Sequence, residues 1–272
     1  MSIIWFNGQF TSGKISLDAG DRGLTLGDGL FETIAVLNVR PVWLSEHLQR
    51  MANAARELGI GFDETLLRSS IATVLEKSGG AHEVMRVMLT RGLVPGRMLS
   101  GSGRSPSLLI SLAKFDAPST PQTITLATTT ITRNETAPSS RLKTLSYIDA
   151  IAASREVIAR ADDALMLNTS GRVASTTIGN LFVLQDKQLF TPAADQGILP
   201  GIARAKLMQH AKNLGLVAEE AMLSLEDLHA ADAVFRTNSL RLVTQVTMLD
   251  GRSLRQGSVQ FIRDRLVLLQ ED

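Results

Sequence analysis

Lys143 is the side chain of this sequence best suited to covalent chemistry. It stands in Arg141-Leu142-Lys143-Thr144-Leu145-Ser146-Tyr147, is the only lysine between Lys114 and Lys187, and is followed by the only tyrosine of the chain. An amine kept among apolar groups and hydroxyls can stay neutral and add to a carbonyl, as a Schiff base requires. An ordinary solvated lysine at a helix start fits the same spacing, and spacing alone favours it. Three arginines read by themselves as ordinary solvated side chains. Arg50 lies off the apolar stripe of its helix, and Arg91 and Arg97 sit in the loop Thr90-Arg91-Gly92-Leu93-Val94-Pro95-Gly96-Arg97. A guanidinium fork matches a phosphate or carboxylate, although most such arginines are solvated. Pro200-Gly201-Ile202 opens a helix expected to run to Gly215, with Pro200 in its first turn. The exposed N–H groups and positive dipole end there would seat a phosphate; a simply capped helix is the alternative.

These groups need a scaffold. A hairpin is expected over residues 3–18 about the Asn7-Gly8 turn. The spacing predicts a helix over 45–59, with Ser45 as N-cap, Gly59 at its end and a core stripe of Leu48, Met51, Ala52, Ala55 and Leu58. A helix over 63–78 and strands over 83–89 and 107–112 follow. Residues 114–122, with Pro118 and Pro121, read as the linker between two domains, 1–116 and 122–272. Beyond it come a strand over 123–131 and a helix over 148–160 with Ile148, Ile151, Ala152 and Ile158 on one side. Strands over 164–168, 181–184, 188–191 and 233–236 follow, with a short helix from Ser224 to Asp227 and onward and an amphipathic helix over 258–269. The pattern is mixed α+β, without regular βαβ units.

Composition narrows the function. At 272 residues, 44% hydrophobic and 20% charged, the chain is long enough for substantial cores and has the make-up of a globular protein. A net charge of +1 argues against nucleic acid as a partner. With 0 cysteines there is no disulfide, thiolate metal site or cysteine nucleophile. The four histidines, His47, His82, His210 and His229, form no paired metal motif, so no metal is expected. The opening Met-Ser-Ile-Ile-Trp-Phe-Asn-Gly does not read as a signal peptide, and no apolar run reaches membrane-spanning length. A cytoplasmic protein is expected. Walker, Gly-x-Ser-x-Gly and dinucleotide fingerprints are absent, and the glycines of Gly27-Asp28-Gly29-Leu30-Phe31-Glu32 read by themselves as a turn.

The lysine stretch and a second one, Gly171-Arg172-Val173-Ala174-Ser175-Thr176-Thr177-Ile178-Gly179-Asn180-Leu181-Phe182, together resemble the fold-type IV enzymes that use pyridoxal 5'-phosphate (PLP). This family includes branched-chain aminotransferases, D-amino-acid aminotransferases and aminodeoxychorismate lyases. Gly27–Glu32, His47-Leu48-x-Arg50, Leu189-Phe190-Thr191, Leu199-Pro200-Gly201-Ile202-Ala203-Arg204 and Thr237-Asn238-Ser239-Leu240 resemble its other segments, in order along essentially the whole chain. The resemblance implies a two-domain α+β fold with the cofactor in the interdomain cleft, and a homodimer acting on a small amino-acid-like substrate. It makes Lys143 the cofactor's covalent partner and its proton shuttle. Arg50, the Ile202 and Ala203 N–H groups and Ser239 become phosphate ligands. Leu199 presses on the ring, and Tyr147 bonds the ring hydroxyl. Phe31 lines the substrate pocket, and Arg97, with Arg91 second, meets the substrate carboxylate. Asn180 is expected to hold a turn.

One position departs from the pattern. The family's glutamate, which keeps the pyridine nitrogen protonated, falls on Ser175. A hydroxyl can bond that nitrogen but brings no counter-charge. By analogy with other PLP enzymes that carry serine there, this implies elimination chemistry, as in 4-amino-4-deoxychorismate lyase. An aminotransferase of branched-chain L- or D-amino acids is the alternative, and a relative that binds PLP with little turnover is the third.

Overall fold

The structure, a computed structural model, describes residues 3–95, 105–117 and 120–270. The chain forms two compact units, Met1–Ala117 with Leu142–Ser146, and Pro118–Arg141 with Tyr147–Asp272. The first division falls after Ala117. The lysine segment, however, belongs to the first unit and not to the 122–272 stretch in which the sequence places it.

The first unit contains β1 (Ile3–Phe6), β2 (Gln9–Thr11), α1 (Arg22–Leu26), β3 (Gly29–Leu37), β4 (Arg40–Pro41), α2 (Leu44–Leu58), α3 (Glu64–Leu75), β5 (His82–Thr90) and β6 (Leu108–Lys114). Asn7 and Gly8 take left-handed φ of 44° and 97°, as a two-residue hairpin turn requires, so the expected hairpin forms with a shorter second strand. All the pairings in the sheet order β2-β1-β6-β5-β3-β4 are antiparallel. Strand alternation sends Leu30, Ile34, Val36, Met85, Val87, Leu89, Ile110 and Leu112 to one face, where Leu48 and Met51 of α2 and Leu67 and Ile71 of α3 complete the core. Phe31, Thr33 and Arg86 consequently belong to the opposite face.

The N-cap of α2 is Trp43, not Ser45. Val42 is still tied to Ala35 by a 2.8 Å hydrogen bond, and Trp43 turns left-handed (φ 52°) to let the helix begin at Leu44. Gly59 closes the helix in the left-handed form, donating to Ala55 and Arg56. Asp63 caps α3 through a 2.9 Å bond from the Leu66 N–H.

The second unit contains β7 (Gln122–Thr128), α4 (Pro138–Arg141), α5 (Ile148–Val157), β8 (Asp163–Leu167), β9 (Val173–Thr176), β10 (Asn180–Gln185), β11 (Gln188–Pro192), α6 (Ile202–His210), β12 (Val217–Ala221), α7 (Leu225–Ala230), β13 (Ala233–Asn238), β14 (Leu242–Leu249), β15 (Arg252–Ser253) and α8 (Gln260–Leu268). Strands β10, β13, β14, β7, β8 and β9 follow one another, and β9 pairs back to β10, closing a barrel-like sheet. Leu126, Leu165, Val173, Leu181, Val183, Val234 and Val246 fill its interior. On the outside, Ala153 and Val157 of α5 pack on Ala127, Ala164 and Met166. The isoleucines of α5 therefore face away from this core, with Ile148 66%, Ile151 50% and Ile158 74% exposed. Helix α6 ends at His210, and a 3-10 turn, Ala211–Leu214, carries the chain to Gly215. Pro200 precedes the helix instead of entering its first turn. The box of Ser224 and Asp227 caps α7 as expected. No described helix is long and apolar enough to cross a membrane.

Candidate active site

In the first unit, Lys143 is placed by its backbone. Residues 143–145 lie against the free edge of β3, with Leu30 bridged antiparallel to Thr144. The Phe31 N–H donates to the Lys143 carbonyl at 3.0 Å, and the Leu145 N–H donates to the Gly29 carbonyl at 2.9 Å. Lys143 thus sits opposite Phe31, and its Nζ lies 4.3 Å from the Phe31 ring centroid. The guanidinium carbon of Arg86 stands 4.4 Å from the same centroid. Phe31 is buried, and its ring has both the Lys143 amine and the Arg86 guanidinium within reach of its π-system.

Behind it, on the core face, Glu32 meets α2. Its carboxylate accepts from Arg50 Nε at 2.8 Å, from Arg50 Nη2 at 2.5 Å and from His47 Nδ1 at 2.7 Å. Burial by itself would raise the Glu32 carboxyl; the Arg50 charge and the His47 and Arg50 hydrogen bonds outweigh it and hold the pKa at about 2. Burial lowers the His47 pKa despite the Glu32 contact. Arg50, assigned to a phosphate by its motif, is therefore anchored on one edge by Glu32.

The loop arginines differ. Arg91 donates to both oxygens of Asp28 (2.7 and 3.1 Å) and to the carbonyls of Gly59 and Leu58 (both 2.8 Å). It holds the glycine-rich segment to the end of α2, and this geometry leaves it no fork for a carboxylate. Arg97 lies outside the described residues.

In the second unit, register lines up Met166, Ser175, Asn180, Thr237 and Val243 in one row across β8, β9, β10, β13 and β14. They alternate with the residues of the barrel core and so face outward. Asn180 Nδ2 donates to the Leu199 carbonyl at 2.8 Å. A Cβ on Gly201 would stand 2.0 Å from Asn180 Oδ1, so a larger residue there would displace the Asn180 amide. Asn180 thus fixes the loop that enters α6. Gly201 caps that helix without a side chain, and the leading N–H groups, Ile202 and Ala203, have no intrahelical acceptor. Arg204, buried in the first turn, locks α6 to the sheet through Pro192 O (2.9 Å) and Glu220 (2.7 Å). On the row itself, Ser175 Oγ and Thr237 Oγ1 are buried with no hydrogen-bond partner.

The inner face carries Asp163, which accepts from Arg236 and from the Thr177 hydroxyl. Tyr147 donates to the Thr177 carbonyl at 3.2 Å. Leu199 and Ser239 are half-buried, and Asn238 shapes the turn at Ser239 by accepting from the Leu240 and Arg241 N–H groups.

Residues 29–249 match the family model described as amino-transferase class IV. The chain belongs to the class IV aminotransferases. Among its relatives in this family, the D-alanine aminotransferase of Bacillus licheniformis is 27% identical over 94% of this chain and 91% of its own length. The aminodeoxychorismate lyase of Bacillus subtilis (strain 168) is also 27% identical, over 91% of this chain and 87% of its own. The chain spans 44% of the length of the Arabidopsis thaliana branched-chain-amino-acid aminotransferase-like protein 2, with 30% identity. Among solved structures, the putative 4-amino-4-deoxychorismate lyase of Legionella pneumophila superposes with a TM-score of 0.85 at 33% identity, covering 96% of each chain. The fold is accordingly the fold-type IV architecture that the motifs imply.

Within this class IV chain, several site features escaped the sequence. Arg86 sits in an ordinary-looking strand, and only the β3–β5 register brings it near Phe31. The Glu32–His47 contact joins two motifs that were separate on paper. Thr237 is indistinguishable from a packing threonine until its register with Asn180 is known.

Proposed function

We propose that this chain is a PLP enzyme acting as a 4-amino-4-deoxychorismate lyase, giving 4-aminobenzoate and pyruvate. Ser175 carries the proposal. Its hydroxyl is buried and unpartnered on the row beside the α6 loop, where the family's glutamate would stand. The carboxylate on the adjacent strand β8, Asp163, is already committed to Arg236 and Thr177, so it does not replace that glutamate. Elimination that leaves an aromatic ring has a large driving force and tolerates the weaker electron withdrawal that a hydroxyl permits.

The residues present fit the cofactor. In the second unit, two orphaned buried hydroxyls and uncapped helical N–H groups suit a phosphorylated pyridine; in the first, an amine beside an aromatic ring suits an aldehyde. When bound, PLP supplies the electron sink. Lys143 Nζ would hold it covalently and, once the substrate's amine has taken its place there, would accept the proton from the substrate's amine-bearing carbon. The ether bond at the neighbouring carbon then breaks, and the departing enolpyruvyl group becomes pyruvate on protonation. Arg50, Ile202, Ala203 and Ser239 hold the phosphate, Leu199 supports the ring and Tyr147 orients its hydroxyl. Phe31 lines the substrate side. Arg97 and the newly apparent Arg86 receive substrate carboxylates.

A second reading, an aminotransferase of branched-chain L- or D-amino acids, draws support from the D-alanine aminotransferase relative, which is as similar as the lyase. A half-reaction screen separates them. Release of 4-aminobenzoate from 4-amino-4-deoxychorismate supports the lyase. Conversion of bound cofactor to its amine form by L-leucine or D-alanine, without such release, replaces it with the aminotransferase. Bound cofactor with neither reaction leaves a binding relative with little turnover. A cytoplasmic homodimer completes the proposal; the exposed isoleucines of α5 support an interface, which sedimentation would read.

A further inference from the structure

Taking α6 as the seat of the cofactor phosphate, as proposed above, we infer that Thr237 is an additional phosphate-binding residue whose hydroxyl donates to the anion at the N-terminus of that helix. Thr237 opens the Thr237-Asn238-Ser239-Leu240 segment, where the resemblance assigns the phosphate to Ser239; burial and register single out Thr237.

Thr237 is 1% exposed, and its Oγ1 has no partner. A buried hydroxyl left unpaired forfeits the hydrogen bonds that water would give it. The backbone around it is fully used by the sheet, with Thr237 paired to Asn180 on one side and Val243 on the other. The side chain lies on the outer face of β13, the strand on which α6 packs. Its immediate neighbour in the row is Asn180, whose Oδ1 occupies the space a side chain on Gly201 would need. Directly opposed residues have Cβ atoms about 5 Å apart, so Thr237 stands beside Asn180, the residue against which Gly201, the N-cap of α6, packs. Uncapped helical N–H groups and an orphaned hydroxyl donor beside them describe one anion site from two independent directions.

Ser175 is the other orphan of the row, on the far side of Asn180. Two strand spacings, about 10 Å, separate it from Thr237. The two hydroxyls therefore address opposite ends of an elongated ligand and not one shared atom. The strand carrying α6 assigns the anionic end to Thr237, and the ring end falls to Ser175.

The test replaces Thr237 with valine, which keeps the shape and removes only the hydroxyl. Binding of PLP and of pyridoxal, which lacks the phosphate, is measured on wild type, Thr237→Val, Thr237→Ser and Ser175→Ala, with circular dichroism confirming the fold of each. Thr237→Val is expected to weaken PLP about 10-fold or more, in line with one hydrogen bond to a charged group, and to leave pyridoxal unchanged. Thr237→Ser restores PLP binding. Ser175→Ala weakens both ligands alike. Equal effects of Thr237→Val on PLP and pyridoxal, or no effect on either, overturn the inference. If the wild type takes up neither ligand, the proposed function fails, and inorganic phosphate still decides the role of Thr237. A phosphate-dependent rise in Tm that Thr237→Val abolishes supports the anion site. A rise of the same size in the variant, or none in the wild type, refutes it.

Discussion

Phe31 and Lys143 face each other across an edge pairing, the Phe31 N–H bonded to the Lys143 carbonyl at 3.0 Å and the amine 4.3 Å from the ring centroid. The Lys143 segment is thus held by sheet hydrogen bonds to a strand more than a hundred residues earlier in the chain. Gly29 makes that pairing possible. A Cβ there would stand 2.6 Å from the Leu89 carbonyl oxygen and 2.7 Å from Leu145 Cδ1. Gly29→Ala is therefore expected to push the lysine segment off β3, costing about 1–3 kcal/mol. Denaturant melts together with the rate of amine labelling at Lys143 would check this. Unchanged labelling would show that the pairing does not position the amine.

Glu32 should make the first unit sensitive to acid. The Glu32 pKa falls from an ordinary 4.5 to about 2, so the unfolded chain binds the proton first as pH drops. Stability from Glu32 is full above about 4.5 and is lost on descent toward pH 2, a difference on the order of 3 kcal/mol. His47 acts in the same direction. Its folded pKa lies below 6.5, so its contribution is present above 6.5 and declines as pH falls beneath it. Glu32→Gln should lower stability at neutral pH and flatten the loss below pH 4.5. Chemical melts from pH 7 to pH 3 would test both claims, and identical slopes for variant and wild type would sink the Glu32 assignment.

Local signals carried much of the fold. Asn7-Gly8, Gly59, Asp63 and the Ser224–Asp227 box each punctuate the chain by short-range chemistry that a linear sequence displays. What escaped was decided at long range. Val217-Ala218-Glu219-Glu220-Ala221 has the residues of a helix yet forms β12, because a parallel pairing with β11 is available to it. The α5 isoleucines look like a core stripe, but Ala150, Ala153 and Val157 are the buried positions, since β8 needs small side chains against it. At the site, the motifs named Lys143, Arg50 and Ser175. Which of their neighbours are paired, as Arg91 is with Asp28, or orphaned, as Thr237 is, follows only from tertiary register.

The entry to α6 depends on Gly201 and Asn180 together. Gly201→Ala forces its Cβ onto the Asn180 amide and should cost about 1–3 kcal/mol. Asn180→Ala removes both that clash and the 2.8 Å bond to Leu199. The double variant should therefore be more stable than the two single losses predict, with a coupling of at least about 1 kcal/mol. Additive losses in a double-mutant cycle would mean the two residues do not shape this loop jointly.

Restoring the family's acid should redirect chemistry. Ser175→Glu places a carboxylate where Ser175 Oγ now lies unpartnered. On the proposed reading, that charge favours protonation of the ring nitrogen and should raise the half-reaction with L-leucine or D-alanine at least about 10-fold, or about 1.4 kcal/mol of barrier. Ser175→Ala serves as the control and should give no such gain. An equal rate in Ser175→Glu and wild type, with cofactor bound in both, would remove Ser175 as the determinant of reaction type.

The buried pair of Asp163 and Arg236 gives the sharpest energetic test. Both side chains are almost inaccessible, and burial lowers the Arg236 pKa even with the Asp163 carboxylate against it. Removing one partner strands a charge, so Arg236→Met alone should cost about 3–5 kcal/mol. Replacing both, with Asp163→Leu added, should recover most of that loss because apolar packing substitutes for a desolvated pair. The recovery will be incomplete. The Thr177 hydroxyl also donates to Asp163, and the Thr177 carbonyl accepts from Tyr147 at 3.2 Å. The double variant should thus approach wild-type stability while Tyr147 loses its fixed position, which the pH titration of its phenol absorbance would register. Full recovery of stability together with an unchanged Tyr147 titration would show that the ion pair neither anchors Thr177 nor reaches the tyrosine.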